Sequence, residues 1–142
     1  MRRRRSDYPM AETLPEAVIG QRGKSLADIT LDAVWSGEVT MEDLRITPAA
    51  LSAQAEIARD AGRPTLALNF ERASELVNVP QDVIMAAYEL LRPGRASSKQ
   101  QLLDCARRFR EEFGATRIAA FIEEAAATYD ERGLYTLSLI HI

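Results

Sequence analysis

The chain has 142 residues, of which 46% are apolar and 27% are charged. This balance is typical of one globular domain, and it argues against a disordered chain and against a membrane protein. The single cysteine, Cys105, excludes an internal disulfide framework and is typical of a reducing cytoplasm. The net charge of −3 combines a run of arginines, Arg2 to Arg5, with an acidic remainder, and only 6% of the residues are aromatic. We therefore expect neither a nucleic-acid nor a membrane partner.

The first 29 residues are predicted to form an extended N-terminal arm. Prolines and glycines interrupt this stretch at positions 9, 15, 20 and 23, and no apolar period is sustained along it. The arginine run at its start is predicted to be a frayed, solvated tail, because nothing in the local sequence fixes it.

A helical domain is predicted over residues 30–133, and it starts with two short helices. Thr30 is the expected N-cap of the first helix and Gly37 is its stop. Trp35 is expected to anchor this helix in the core. Thr40 opens the second helix, since acidic residues follow it near the positive end of the helix dipole.

The rest of this domain is predicted to be a compact bundle of about five helices, which makes the fold class all-α. Caps, prolines and glycines give the expected limits: Thr47-Pro48 to Gly62, Pro64 to Val77, Pro80 to Arg92, Ser97 or Ser98 to Gly114, and a last helix that closes at Gly133. The expected inward residues are Leu51, Ala55 and Ala58, then Leu66, Phe70, Ala73 and Val77, then Ile84, Ala87, Tyr88 and Leu91, then Leu102, Ala106, Phe109 and Phe113, and finally Ile118, Phe121, Ile122, Ala125 and Tyr129.

Residues 134–142 differ in style from everything before them, because they are apolar, β-prone and uncharged. Two interpretations stay open. The segment pairs with a partner, or it does not belong to the natural protein.

The sequence offers little catalytic chemistry. The segment Gly20–Ser25 has the residue types of a phosphate-binding loop, but Val18 stands where that pattern needs its first glycine. His141 is the only histidine, so neither a histidine-pair metal site nor a histidine-based triad can be built. Cys105 lies on the apolar side of a predicted helix and is expected to be a packed core residue. The adjacent carboxylate pairs point about 100° apart on a helix and are expected to be solvated.

Polar residues beside the apolar stripes of the central helices allow two interpretations. Arg63, Asn69, Arg72 and Arg92 either make ordinary caps and pairs within the chain or belong to an interface with another protein, where arginine is enriched. The residues alone do not decide between the two.

The order of motifs from residue 6 to residue 132 is distinctive. The segments that carry it are Ser6–Pro9, Gly23-Lys24, Leu26, Asp28–Leu31, Ser36–Val39, Arg45-Ile46, Gln54–Arg63, Asn69-Phe70, Arg72-Ala73, Glu75-Leu76, Pro80, Asp82, Tyr88, Leu91–Pro93, Leu102-Leu103, Ala120-Phe121, Glu124-Ala125, Tyr129 and Glu131-Arg132. In these segments the chain resembles the small subunit of adenosylcobalamin-dependent glycerol/propanediol dehydratases.

The resemblance implies a place in a three-subunit lyase, a dimer of heterotrimers. In that family the large subunit holds the substrate and its metal ion, and adenosylcobalamin lies between the large and medium subunits. The implied reaction is the radical conversion of a 1,2-diol to an aldehyde and water. This chain is then expected to hold no catalytic, cofactor-binding or metal-binding residue and to support assembly with the large subunit.

A cytoplasmic location is expected. Association with a microcompartment is expected only through other subunits, because Met1 and four arginines stand where compartment-associated relatives carry an amphipathic extension.

The residues expected at the interface with the large subunit are Tyr8, Pro9, Arg45, Arg63, Asn69, Arg72 and Arg92. The alternative function is a free-standing helical interaction adaptor, which would be a stable monomer without dehydratase partners.

Overall fold

A computed structural model describes residues 2–136, so His141 and most of the predicted apolar tail lie outside the described residues. Within that range the regular secondary structure is helical, apart from one isolated antiparallel bridge between Ile19 and Ser25. The all-α prediction is confirmed. The chain divides into two compact units, Met1–Val77 and Asn78–Ile142. None of the helices in the described part of the chain is long and apolar enough to cross a membrane.

The arm of the first unit carries only short elements: 3-10 helices at Arg5–Asp7, Pro15–Ala17 and Leu26–Asp28, and helix α1 at Met10–Thr13. The arginine run is held in place rather than frayed. The backbone N–H of Arg3 donates to Glu56 Oε2 at 2.7 Å, and that of Arg5 donates to Asp60 Oδ2 at 2.7 Å. Because Glu56 and Asp60 are one helical turn apart, they share a face of their helix. The prediction of a frayed tail is therefore wrong for Arg3 and Arg5.

The two short helices are confirmed as α2, Leu31–Ser36, and α3, Met41–Leu44. The Thr30 hydroxyl accepts a hydrogen bond from the Ala33 N–H at 3.1 Å, and Gly37 closes α2 with a φ of 86°. The expectation that Trp35 anchors α2 in the core is wrong, because its side chain is 91% exposed.

A helical hairpin forms the core of the first unit. It consists of α4, Pro48–Asp60, and α5, Pro64–Leu76, and the Thr47 hydroxyl caps α4 by accepting from the Ala50 N–H at 3.0 Å. Ala55, Ala58 and Ala67 are buried where the helices meet, with Phe70 packed against them. Leu66 was expected inside, but Ala67 takes the core position, about 100° around the helix. A small residue there lets the two helices approach closely.

The second unit contains α6, Gln81–Leu91, and a hairpin of α7, Lys99–Phe113, and α8, Thr116–Arg132. Their limits agree with the predicted caps, including Ser98 before α7 and left-handed Gly114 after it. The buried residues of the hairpin are Leu102, Ala106 and Phe109 on α7 and Ala119, Ile122 and Ala126 on α8.

Two aromatic residues of this unit lie outside its core, although their spacing predicted them inside. Tyr88 is 60% exposed and Phe121 is 41% exposed. On α6 the buried residues are Val83 and Ala87, and on α8 Ile122, which follows Phe121 in sequence, is buried instead. Tyr129 packs as predicted and donates its hydroxyl to the Leu91 carbonyl at 2.5 Å.

Candidate functional site

Two successive short helices present large apolar side chains to solvent. On α2, Leu31 and Trp35 are 80% and 91% exposed, and Val34 lies with them on one side of the helix. On α3, Met41 is 77% exposed and Leu44 is 56% exposed. We name these five side chains of two successive helices, Leu31, Val34, Trp35, Met41 and Leu44, the α2–α3 face. Exposed apolar residues that cluster along one segment, rather than occurring singly, indicate a binding surface.

The local sequence explains why these side chains point outward. The only buried residue of α2 is Ala33, so this short helix lies on the unit through its smallest side chain. The only buried residue of α3 is Asp43, so α3 buries an acid while Met41 and Leu44 face solvent. This pattern is the reverse of an ordinary surface helix.

Asp43 is buried because the arm supplies its partners. Its Oδ2 accepts from the Thr40 N–H at 2.8 Å and lies 3.2 Å from Arg22 Nη1 and 3.7 Å from Lys24 Nζ. The hydrogen bond from Thr40 is the main reason that the pKa of Asp43 lies below its ordinary value; burial opposes this lowering, and the two cations add to it. The carboxylate therefore holds α3 against the arm.

The segment Gly20–Ser25 that resembles a phosphate loop is a turn of this arm. Its ends pair at the Ile19–Ser25 bridge, and the Gly20 N–H donates to the Lys24 carbonyl at 2.9 Å. A Cβ at Gly20 would lie 3.0 Å from the carbonyl oxygen of Asp43, so a larger residue would require the backbone at Asp43 to shift. The turn places Lys24 Nζ 3.7 Å from Asp43 Oδ2.

An open cleft of about 530 Å³ lies beside α2, and acidic side chains line much of it. Asp28, Asp32 and Glu38 contribute carboxylates, and Lys24 is the one cation among the lining residues. Asp28 accepts from the Ser25 N–H at 3.2 Å and from its hydroxyl at 2.9 Å. Within residues 2–136, Asp32 and Glu38 make no side-chain ion pair, and both are exposed.

The predicted interface residues fall in separate places. Tyr8 is 68% exposed and joins Pro9 in lining a groove of about 600 Å³ between the arm and the start of α4. Arg63 precedes α5, and Asn69 on α5 is exposed as well, whereas Arg72 is half-buried. Tyr8 and Pro9 are neighbours in the chain, and none of the other predicted interface residues lines this groove. Whether these residues contact a partner stays a prediction.

The other two predicted interface residues have partners within the chain. Arg45 pairs with Glu42 at 3.1 Å and also donates to the Val77 carbonyl at 3.1 Å. Arg92 pairs with Glu89 at 3.3 Å, one turn back on α6. Arg45 thus links α3 to the end of α5. Both arginines pair with a glutamate of the same chain.

The cysteine and the possible metal ligands of the described residues are not arranged for chemistry. Cys105 is half-buried in a pocket with Val83 and Ala87, where burial raises the pKa of its thiol and keeps it protonated. Among residues 2–136, no group of three or more histidine, cysteine, aspartate or glutamate side chains is arranged to hold a metal ion.

Sequence reasoning missed the α2–α3 face. The signal was present: Leu31, Ala33, Val34 and Trp35 crowd a helix of six residues, which is too short to turn all of them to one core. The face was missed for two reasons. Thr30 is a good N-cap, which favoured an ordinary packed helix, and tryptophan is highly buried on average.

Comparisons with known proteins cover nearly the whole described range. The family described as "Dehydratase small subunit" matches residues 3–136, which includes parts of both compact units. The chain is 50% identical over 127 residues to the propanediol dehydratase small subunits of Citrobacter freundii and of Salmonella typhimurium strain LT2. Each alignment covers 89% of this chain and 73% of the relative.

Proposed function

Because the chain belongs to the dehydratase small-subunit family, we propose that it is the non-catalytic small subunit of a coenzyme B12-dependent diol dehydratase. In this role it binds the large and medium subunits and supports their assembly into a dimer of heterotrimers. The observation that carries the proposal is the family match across both compact units, at 50% identity to named propanediol dehydratase small subunits. The exposed α2–α3 face supports it, since a subunit needs a surface for its partners.

The proposal assigns the chemistry to the other subunits. Adenosylcobalamin would supply the radical that starts the conversion of a 1,2-diol to an aldehyde and water, and the substrate with its metal ion would lie in the large subunit. The side chains described in this chain suit binding rather than proton transfer: Asp43 is engaged by cations, and Cys105 is held as a thiol. The enzyme is thus a lyase in which this chain has a structural part, and we place the assembly in the cytoplasm.

Coexpression tests the proposal directly. The full chain is produced with candidate large and medium subunits and, in parallel, left out. We expect a complex with the mass of a dimer of heterotrimers and adenosylcobalamin-dependent aldehyde formation from propane-1,2-diol or glycerol that depends on this chain. A monomer that neither joins the complex nor changes its activity would contradict the proposal and favour a free-standing adaptor.

A further inference from the structure

We infer that the α2–α3 face is the surface through which this chain binds a larger dehydratase subunit, with Trp35 entering an apolar pocket that has a basic rim. The inference rests on the proposed function and adds to it the surface and the chemistry of the partner. It differs from the sequence-based interface prediction, which contained none of the residues of this face.

Exposure singles out this face. Trp35, at 91% exposed, is the most exposed large apolar residue of the described chain, and Leu31 and Met41 follow it at 80% and 77%. Leaving so much apolar surface in water costs free energy in proportion to its area. Tryptophan is also the residue type most enriched at interface positions that dominate binding energy.

The face is built to be rigid. Thr30 and Gly37 close both ends of α2, and the Val39 N–H donates to the Ala33 carbonyl at 3.0 Å, which fixes the link to α3. Asp43 then holds α3 against the arm. A backbone that is fixed before binding loses less conformational entropy when a partner covers it. This arrangement favours a specific protein partner over incidental exposure.

Charge decides between a different subunit and a second copy of this chain. The exposed carboxylates of Asp32 and Glu38 lie in the cleft beside α2, while Lys24 is engaged by Asp43. A symmetric pair of copies joined through this face would place two sets of these acidic residues at one interface. Like charges placed together across an interface oppose association, whereas a basic rim on a different subunit complements them. The occupant is therefore a partner subunit with lysine or arginine around an apolar pocket.

The first test compares Trp35→Ala with Tyr88→Ala, both in the full chain. Tyr88 is a matched control because it is an exposed aromatic residue, 60% exposed, on a helix of the other unit. Affinity for the coexpressed large and medium subunits is measured by dilution in sedimentation velocity. We expect Trp35→Ala to bind about 30-fold more weakly and Tyr88→Ala to stay within about 2-fold of wild type. Circular dichroism of both variants checks that the helices remain folded.

A second test addresses the rim. In the double variant Asp32→Lys/Glu38→Lys we expect slower association with the partner subunits, by about 10-fold at low salt, and a smaller difference as salt screens the charges. Glu124→Lys, an exposed change on α8, is the control and should leave the association rate unchanged. A double variant that associates as fast as wild type at every salt concentration would overturn the basic-rim assignment.

A third measurement reports on burial without any substitution. Trp35 is the only tryptophan of the chain, so 5-fluorotryptophan incorporated into this subunit alone gives one fluorine resonance. That resonance should shift and lose its sensitivity to solvent deuterium when unlabelled partner subunits are added. A complex in which it stays sensitive to solvent would overturn the inference.

The outcomes separate the two proposals. A complex that forms with wild-type affinity despite Trp35→Ala overturns the assigned surface and leaves the proposed function standing. If the wild-type chain forms no complex with any candidate subunit, the proposed function itself fails. A homodimer of the wild-type chain that Trp35→Ala abolishes would overturn the choice of a different subunit as the occupant.

Discussion

The α7–α8 hairpin buries its large apolar side chains, whereas the α2–α3 face exposes side chains of the same kind. In the hairpin, helices of 15 and 17 residues turn a continuous apolar stripe inward, and Phe109 is 2% exposed. In α2 and α3, helices of six and four residues bury only Ala33 and Asp43, and the large side chains face solvent. A long helix has enough turns to bury an apolar side and to expose a polar side. A short helix does not, so the contact that fixes it decides where its remaining side chains point.

The largest expected effect separates stability from binding. Phe109→Ala should lower the free energy of unfolding by about 3–5 kcal/mol, because it removes a fully buried ring and leaves a cavity. Trp35→Ala, which deletes a larger side chain, should change it by less than about 0.5 kcal/mol, since that side chain is already in water. Urea unfolding followed by far-ultraviolet circular dichroism measures both.

The same two variants test whether Trp35 is free of contacts within the chain. If Trp35→Ala destabilises the isolated chain as much as Phe109→Ala does, then the tryptophan packs within the chain and the α2–α3 face is not a free surface.

A smaller, pH-dependent effect is expected at Asp43. Its folded pKa lies below the ordinary value of 3.8, so its ionised form stabilises the fold above that pH, and this contribution is lost as the pH falls through the folded pKa. Asp43→Asn should therefore be less stable than wild type at neutral pH, with a difference that shrinks in acid. Urea unfolding at each pH, followed by far-ultraviolet circular dichroism, measures this difference.

Glu38→Gln is the control for this prediction, because Glu38 is an exposed acid on the link between the same two helices. A loss of stability in Glu38→Gln with the same pH dependence would show that general acidity, rather than the Asp43 contacts, stabilises the region.

The smallest expected change in stability concerns the N-cap of α2. Thr30→Ala removes the side-chain acceptor for the Ala33 N–H and should cost about 1 kcal/mol of stability. Thr30→Ser keeps the hydroxyl and should restore it. Since the cap also holds the α2–α3 face in place, we expect faster hydrogen exchange at the amides of α2 in Thr30→Ala, measured by mass spectrometry. Unchanged exchange there would mean that contacts beyond the cap fix this helix.

Much of the fold could be predicted from the sequence because helix ends are local. Thr30, Thr47 and Ser98 cap their helices with their own hydroxyls, and Gly37 and Gly114 end helices in the left-handed conformation. Each of these signals acts within a few residues of the helix it limits. The class of the fold followed from the same local patterns, whereas the family resemblance rested on the order of motifs from residue 6 to residue 132.

The candidate site could be predicted only in part. Tyr8 and Pro9 were predicted at an interface with the large subunit; the structure places them at a groove, and their contact with a partner stays a prediction. Of the two interpretations left open for Arg92, the structure shows a pair within the chain, with Glu89. Trp35 could not be placed, because periodicity shows which side chains share a side of a helix and not whether another element covers that side. The same limit explains why Tyr88 and Phe121 were expected inside their unit.

The helical class, the helix limits and the family can be read from the sequence, since these depend on neighbours in the chain and on the order of motifs. The folded structure was needed to show that Glu56 and Asp60 hold the arginine run and that Asp43 is buried while Trp35 is exposed. These outcomes depend on contacts between residues far apart in sequence. Such contacts form where packing and charge pairing are best satisfied together, and no local window of residues contains that information.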